Sequence, residues 1–154
     1  MSSTLRTIDA LIMFAAASLY LGTGWSLVLF QLPDVKTLTP ATYAIPFVAP
    51  IARAMRFYTV LTYVMIATAI VLIIGEWDTG YVWVPIVYLV LTVAAGQFTR
   101  SLIFPLNARM AAGIADPEEV QSVLAKWARL SRIRNWAWTV EWLVMAIYFG
   151  LRAG

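Results

Sequence analysis

The chain has 154 residues, 62% of them hydrophobic and 12% charged, about half the charged share of a soluble domain. Mean hydropathy is +0.79, so the composition is that of an integral membrane protein, and the length is that of one domain. Cys and His are both absent, which excludes disulfides, thiolate nucleophiles and iron–sulfur clusters and removes the usual metal and haem ligand and the usual general base. No metal, haem or other cofactor is expected on these grounds. The net charge is +3 and the basic residues flank apolar runs, so they read as topology signals and not as nucleic-acid contacts.

The first apolar run, 10–30, is long enough to cross a bilayer and is followed by no small-residue cleavage site, so it predicts a retained span over 7–31. Ser18, Gly22 and Ser26 recur every four residues on it, a small-residue face suited to close helix packing. Pro33, Pro40, Pro46 and Pro50 then predict a loop, because each restricts the residue before it. A second span is expected over 57–76, opening on a face made by Arg56, Thr59 and Tyr63. Residues 77–80 form a tight hairpin, and a third span covers 81–104.

Span three carries Gln97, Arg100, Phe104 and Asn107 at helical spacing. Beyond it, Asp116 precedes Pro117, with Glu119 three residues on, which is a helix start with a capping acid and Pro in first position. Nothing interrupts the helical pattern until Gly150. One helix is therefore expected from Pro117 through a fourth span, 135–151, with 117–134 as an extension outside the membrane.

The most informative residue is Glu141, a carboxylate within the fourth apolar run. At a helix centre such a charge costs about 2.5–3.5 kcal/mol on insertion scales, so it calls for a partner or a role. Trp127, Ser131, Arg134, Trp138, Glu141, Met145 and Tyr148 step by four and three along one face, a polar stripe that belongs in a bundle interior. Arg56, Tyr63, Gln97, Arg100, Arg134 and Glu141 are expected in the cytoplasmic half of the membrane. One reading pairs Glu141 with Arg100, Arg134 or Arg56 as a structural ion pair. The other is a pocket with surplus positive charge for an anionic or polarised oxygen ligand, such as a quinone, phenolate or lipid headgroup.

Lys/Arg placement orients the bundle. The third connection holds Arg109, Lys126, Arg129, Arg132 and Arg134, the first loop holds Lys36, Arg53 and Arg56, and the hairpin holds none. Loops one and three are thus expected in the cytoplasm, with both termini outside, in a membrane of bacterial cytoplasmic type.

Phe104-Pro105-Leu106-Asn107 after span three, and Trp127, Ser131 and Arg134 opening the last helix, give the chain a likeness. It resembles the anthrone oxygenase-like family of small four-span membrane proteins. That resemblance implies oxidation of an anthrone or phenolic substrate by O₂, with Asn107, Trp127 and Arg134 as matching site residues. The family's usual His is Ser131 here, and Ser is no general base at neutral pH.

The expected fold is an all-α, four-helix transmembrane bundle with a long last helix. Two functions are weighed: a small accessory subunit or quinone- or lipid-binding component of a membrane assembly, and a cofactor-independent oxidation. In the second, Glu141 is the base and Arg100 and Arg134 hold the substrate anion, with Arg56, Tyr63, Gln97, Asn107, Trp127, Ser131 and Trp138 around them.

Overall fold

The computed structural model describes residues 2–153, and every regular element among them is helical. Helix α1 covers Ser3–Ser26 and runs into a π-helical turn, Leu27–Gln31, and a 3₁₀ turn, Leu32–Thr37. Helices α2 (Ala44–Glu76) and α3 (Trp83–Phe98) are joined by the hairpin. A second π turn, Thr99–Ile103, leads into short α4 (Phe104–Ala111), and α5 runs unbroken over Pro117–Ala153. Helices α1, α2, α3 and α5 pack as a four-membered bundle in which each touches two neighbours.

Local chemistry accounts for most boundaries. The Ser2 hydroxyl accepts the Leu5 N–H and starts α1. Asp116 caps α5 by accepting from the Glu118 N–H. Glu119 does not close a capping box; its carboxylate takes a two-pronged bond from Arg109 at 2.6 and 2.7 Å, tying α4 to α5. Gly113 comes after α4 with φ +86°, a left-handed position that suits Gly at a helix end.

The Pro-rich stretch departs from expectation. Residues 44–56 are not loop; α2 begins at Ala44 and passes through Pro50. Pro46 falls in the first turn, where its missing N–H costs nothing, and only Pro50 deprives the helix of a bond. The third run likewise continues past 104, through α4 to Ala111.

Among the described residues, three helical stretches are long and apolar enough to cross a membrane: Ser3–Gln31, Ala44–Glu76 and Trp83–Ala111. The chain is a membrane protein by that measure. Trp77 and Trp83 are exposed near helix ends, as aromatic-belt residues are, and Trp136 is exposed midway along α5.

Two cores divide the bundle. One, around Met13, Tyr20, Met65, Leu72, Tyr88 and Met145, fills the four-helix interior. The other joins Leu32, Val35, Tyr43 and Phe47 to Met110, Leu124 and Trp127. The first half of α5 therefore does not protrude bare: its apolar face of Val120, Leu124 and Trp127 is covered by the first loop and α4. Tyr43 closes this end, donating to the Met110 carbonyl and accepting the Ile114 N–H.

At the opposite end, the fully buried Glu76 carboxylate accepts from Arg152 (2.6 Å), Tyr148 (2.8 Å) and Thr79 (2.6 Å), with Arg6 at 3.9 Å. It gathers α1, α2, α5 and the hairpin on one anion. The sequence pattern does not single out this cluster, because Glu76 ends an apolar run and reads as a boundary residue.

Candidate ligand cavity

Helix α2 is anchored at both ends and lifted in between. Phe47 is buried, as are Met65, Thr68, Ala69, Leu72 and Glu76, but no residue from 48 to 64 is. The gap left between this stretch and α1, α3 and α5 is a cavity of about 900 Å³, at the upper end of the roughly 300–1,000 Å³ usual for small-molecule sites.

Both π turns border the cavity, through Leu27 and Gln31 on one and Thr99, Arg100 and Ile103 on the other. A π turn inserts one residue into a helix and re-aims the side chains beyond it, and such turns concentrate at functional sites. Arg100, within the second one, lines the cavity, while Gln97, before the turn, does not.

The inner wall is aromatic. Tyr20 of α1 packs on Trp138 with ring centres 4.2 Å apart, and on Tyr58 at 4.9 Å. Its hydroxyl donates to the Tyr58 carbonyl at 2.8 Å and touches the Thr62 hydroxyl. The Arg134 guanidinium lies over the Trp138 ring, 4.6 Å from its centre, a cation–π contact. Among the described residues no carboxylate stands within ion-pair distance of Arg134, and its Nε is enclosed without a partner. No acidic side chain lines the cavity among the described residues.

Toward α4, the Trp127 indole N–H donates to the Asn107 carbonyl oxygen at 2.8 Å, which fixes the amide's orientation. Its nitrogen faces the Met55 sulfur at 3.8 Å. Asn107, Trp127 and Met55 all line the cavity.

Six of the expected site residues meet at this cavity: Tyr63, Arg100, Asn107, Trp127, Arg134 and Trp138. Arg56 and Gln97 are exposed and do not line it. Ser131 is fully buried, its hydroxyl has no partner, and it does not line the cavity either.

Glu141 is also buried but not paired as expected. None of Arg56, Arg100 or Arg134 bridges it; it accepts a hydrogen bond from the Thr92 hydroxyl. Arg134 is two turns away along the same helix, roughly 10 Å at 1.5 Å per residue, and its guanidinium lies over Trp138 instead. Thr92 itself lines the cavity, so the carboxyl group sits one side chain behind the wall.

Residue-level reading misses Tyr20, Tyr58, Thr62 and Thr92. The spacing of Tyr58, Thr62 and Met65 is helical, one position out of phase with the Arg56, Thr59 and Tyr63 face. On a helix that is apolar all round, periodicity does not choose between adjacent faces; here the Tyr20 contacts do. Comparison with protein-family models, curated proteins and solved structures gives no match for the chain.

Proposed function

We propose that the chain is a four-span protein of a bacterial cytoplasmic membrane that holds a flat, oxygen-bearing ligand of quinone or related class in this cavity, as a small component of a membrane assembly. The observation that carries the reading is Arg134: a guanidinium in the cavity wall, stacked on Trp138, with no carboxylate beside it among the described residues. A cation enclosed without a counter-charge in a membrane protein is costly unless it meets a polar ligand. Arg also stacks on rings and binds oxygen in a forked geometry, which suits a planar ligand with carbonyl or phenolate oxygens.

The fourth span is the second half of α5. Its polar groups are turned inward, with Asn135, Glu141 and Tyr148 buried, while Val140, Leu143, Ile147 and Leu151 are exposed along one outer stripe. That division suits a helix with one face on protein and one on lipid. Loops one and three, which hold most of the Lys and Arg, lie in the cytoplasm in this reading.

Oxidation of an anthrone-like substrate is the second reading, and one contact favours it: the Thr92 hydroxyl connects Glu141 to the cavity. Neither Glu141 nor Ser131 opens onto the cavity directly, so binding is preferred over catalysis. Solvent extraction of the purified protein, followed by mass spectrometry, tests the choice. A co-purifying quinone or other aromatic oxygen compound, lost in Arg134→Met while the variant stays in the membrane fraction, is the expected result. Equal ligand content in Arg134→Met overturns it.

A further inference from the structure

We infer that the ligand is an amphiphile: a quinone-type ring held at Arg134 and Trp138, and a hydrocarbon tail that leaves the cavity sideways, between α2 and α3, into the bilayer. This rests on the binding reading above and adds to it the ligand's second half and its route.

The lifted half of α2 is the starting point. Because no residue from 48 to 64 is buried, the cavity is not sealed along the helix flanks. Thr59 and Tyr63 on α2, and Gly96 and Arg100 on α3 and its π turn, line the cavity and are exposed as well. They form a rim on the bundle's flank. A side chain built at Gly96 meets nothing within 4 Å, so the gap there is open space and not close helix packing.

The flank lies within two of the stretches that are apolar enough to cross a membrane. Its neighbours on the outer surface, Val60, Tyr63, Val93 and Phe104, are exposed hydrophobic groups. In a bilayer this opening meets acyl chains, not water. The seam between α1 and α2 also reaches the cavity, but there the Tyr20 hydroxyl ties α1 to the Tyr58 carbonyl and the Thr62 hydroxyl of α2, whereas among the described residues no side-chain hydrogen bond joins α2 to α3. Hydrocarbon therefore belongs at the α2–α3 seam.

The two ends of the cavity suit the two ends of such a molecule. Rings and a guanidinium stand at the inner wall, where Tyr20, Tyr58 and Trp138 offer faces for stacking. Among the described residues Arg134 is the one cation at that wall, while Arg100 is at the rim. A planar ring with carbonyl oxygens is served by one forked donor and stacking surfaces, whereas a phosphate group is ordinarily met by several converging donors. The ring is thus favoured over a phospholipid head.

The test uses the full chain in nanodiscs and two photoreactive probes. One is a benzoquinone with a decyl tail bearing a terminal diazirine; the other is phosphatidylglycerol with a diazirine at its chain end. The expected result is labelling by the quinone probe at outward positions of α2 and α3 around Val60, Tyr63 and Val93. Competition by unlabelled decyl-benzoquinone should reduce it at least fivefold. In Gly96→Phe, which fills the gap, labelling at these positions should fall by a similar factor, with helicity and elution volume unchanged to show that the variant is folded.

Competed quinone labelling confined to the α1–α2 seam or the 38–43 loop overturns the lateral route and leaves the binding reading standing. Unaltered labelling in a folded Gly96→Phe also overturns the route. Labelling by the phospholipid probe, competed by phosphatidylglycerol and not by the quinone, overturns the choice of head. No competed labelling by either probe overturns the binding reading itself.

Discussion

Gly24 shows how far one residue can decide helix placement. It lies where α1 approaches α5 closely, and its carbonyl accepts from the Asn135 amide at 2.6 Å. A Cβ at this position would stand 2.6 Å from the Asn135 side-chain oxygen, well inside van der Waals contact. Asn135 is buried, so its amide has little room to turn away. Gly24→Ala should therefore break the amide–carbonyl bond and push the helices apart, at a cost of about 1–3 kcal/mol, the usual range for overpacking. Thermal unfolding in detergent measures it. Asn135→Ala added to Gly24→Ala should recover part of the loss, since it removes the atom that clashes, and additive losses would mean that the two residues do not meet. The small-residue pattern Ser18, Gly22 and Ser26 pointed to close packing on α1, but the work is divided otherwise. Ser18 accepts from the Trp142 indole at 3.0 Å, while Gly22 and Ser26 face the cavity.

At the scale of elements, the long last helix and the hairpin were legible in the sequence because their signals are local: a capping acid before Pro117, and a short turn between two apolar runs. The start of α2 was not, because Pro reads as a loop signal whether it breaks a helix or sits in its first turn. The candidate site was legible in part. The stripe on α5 put Trp127, Arg134 and Trp138 at the cavity, because spacing along one regular helix is reliable. On α3 the same reasoning failed at Gln97, which precedes the π turn at Thr99–Ile103 and faces outward, while Arg100 within that turn and Asn107 beyond it line the cavity. That turn has a testable consequence. Deleting Ser101, an exposed residue within it, should convert the π turn to regular helix and rotate α4 by about 100°, one residue's worth. Asn107 would leave Trp127, and Arg109 would leave Glu119. Binding of the quinone probe should then fall at least tenfold while the variant still inserts in the membrane. Unchanged binding would show that α4's phase does not matter to the site.

For the whole molecule, the start of α1, the hairpin and the end of α5 meet at one end of the bundle, where Arg6 donates to the Gly75 carbonyl and Arg152 to Glu76. The first loop, α4 and the start of α5 meet at the other, through Tyr43, Gln121 and the second core. Lys36, Arg53, Arg56, Arg109, Lys126, Arg129 and Arg132 belong to the second end, and Arg6 and Arg152 to the first. The two cations of the first end are bound to Glu76 or its neighbour, so the free positive charge is more one-sided still. In the proposed reading, positive charge retained on the cytoplasmic side sets the hairpin outside. The absence of Cys allows a direct check with single thiols placed at exposed positions. Asp78→Cys in the hairpin and Ala115→Cys between α4 and α5 are both exposed in the fold and lie at opposite ends. In intact bacterial cells a membrane-impermeant maleimide should label Asp78→Cys at once and Ala115→Cys only after permeabilisation. The reverse pattern would invert the orientation. Immediate labelling of both would mean that the two ends are not separated by a membrane, and the stretch Trp83–Ala111 that joins them would then not be a span.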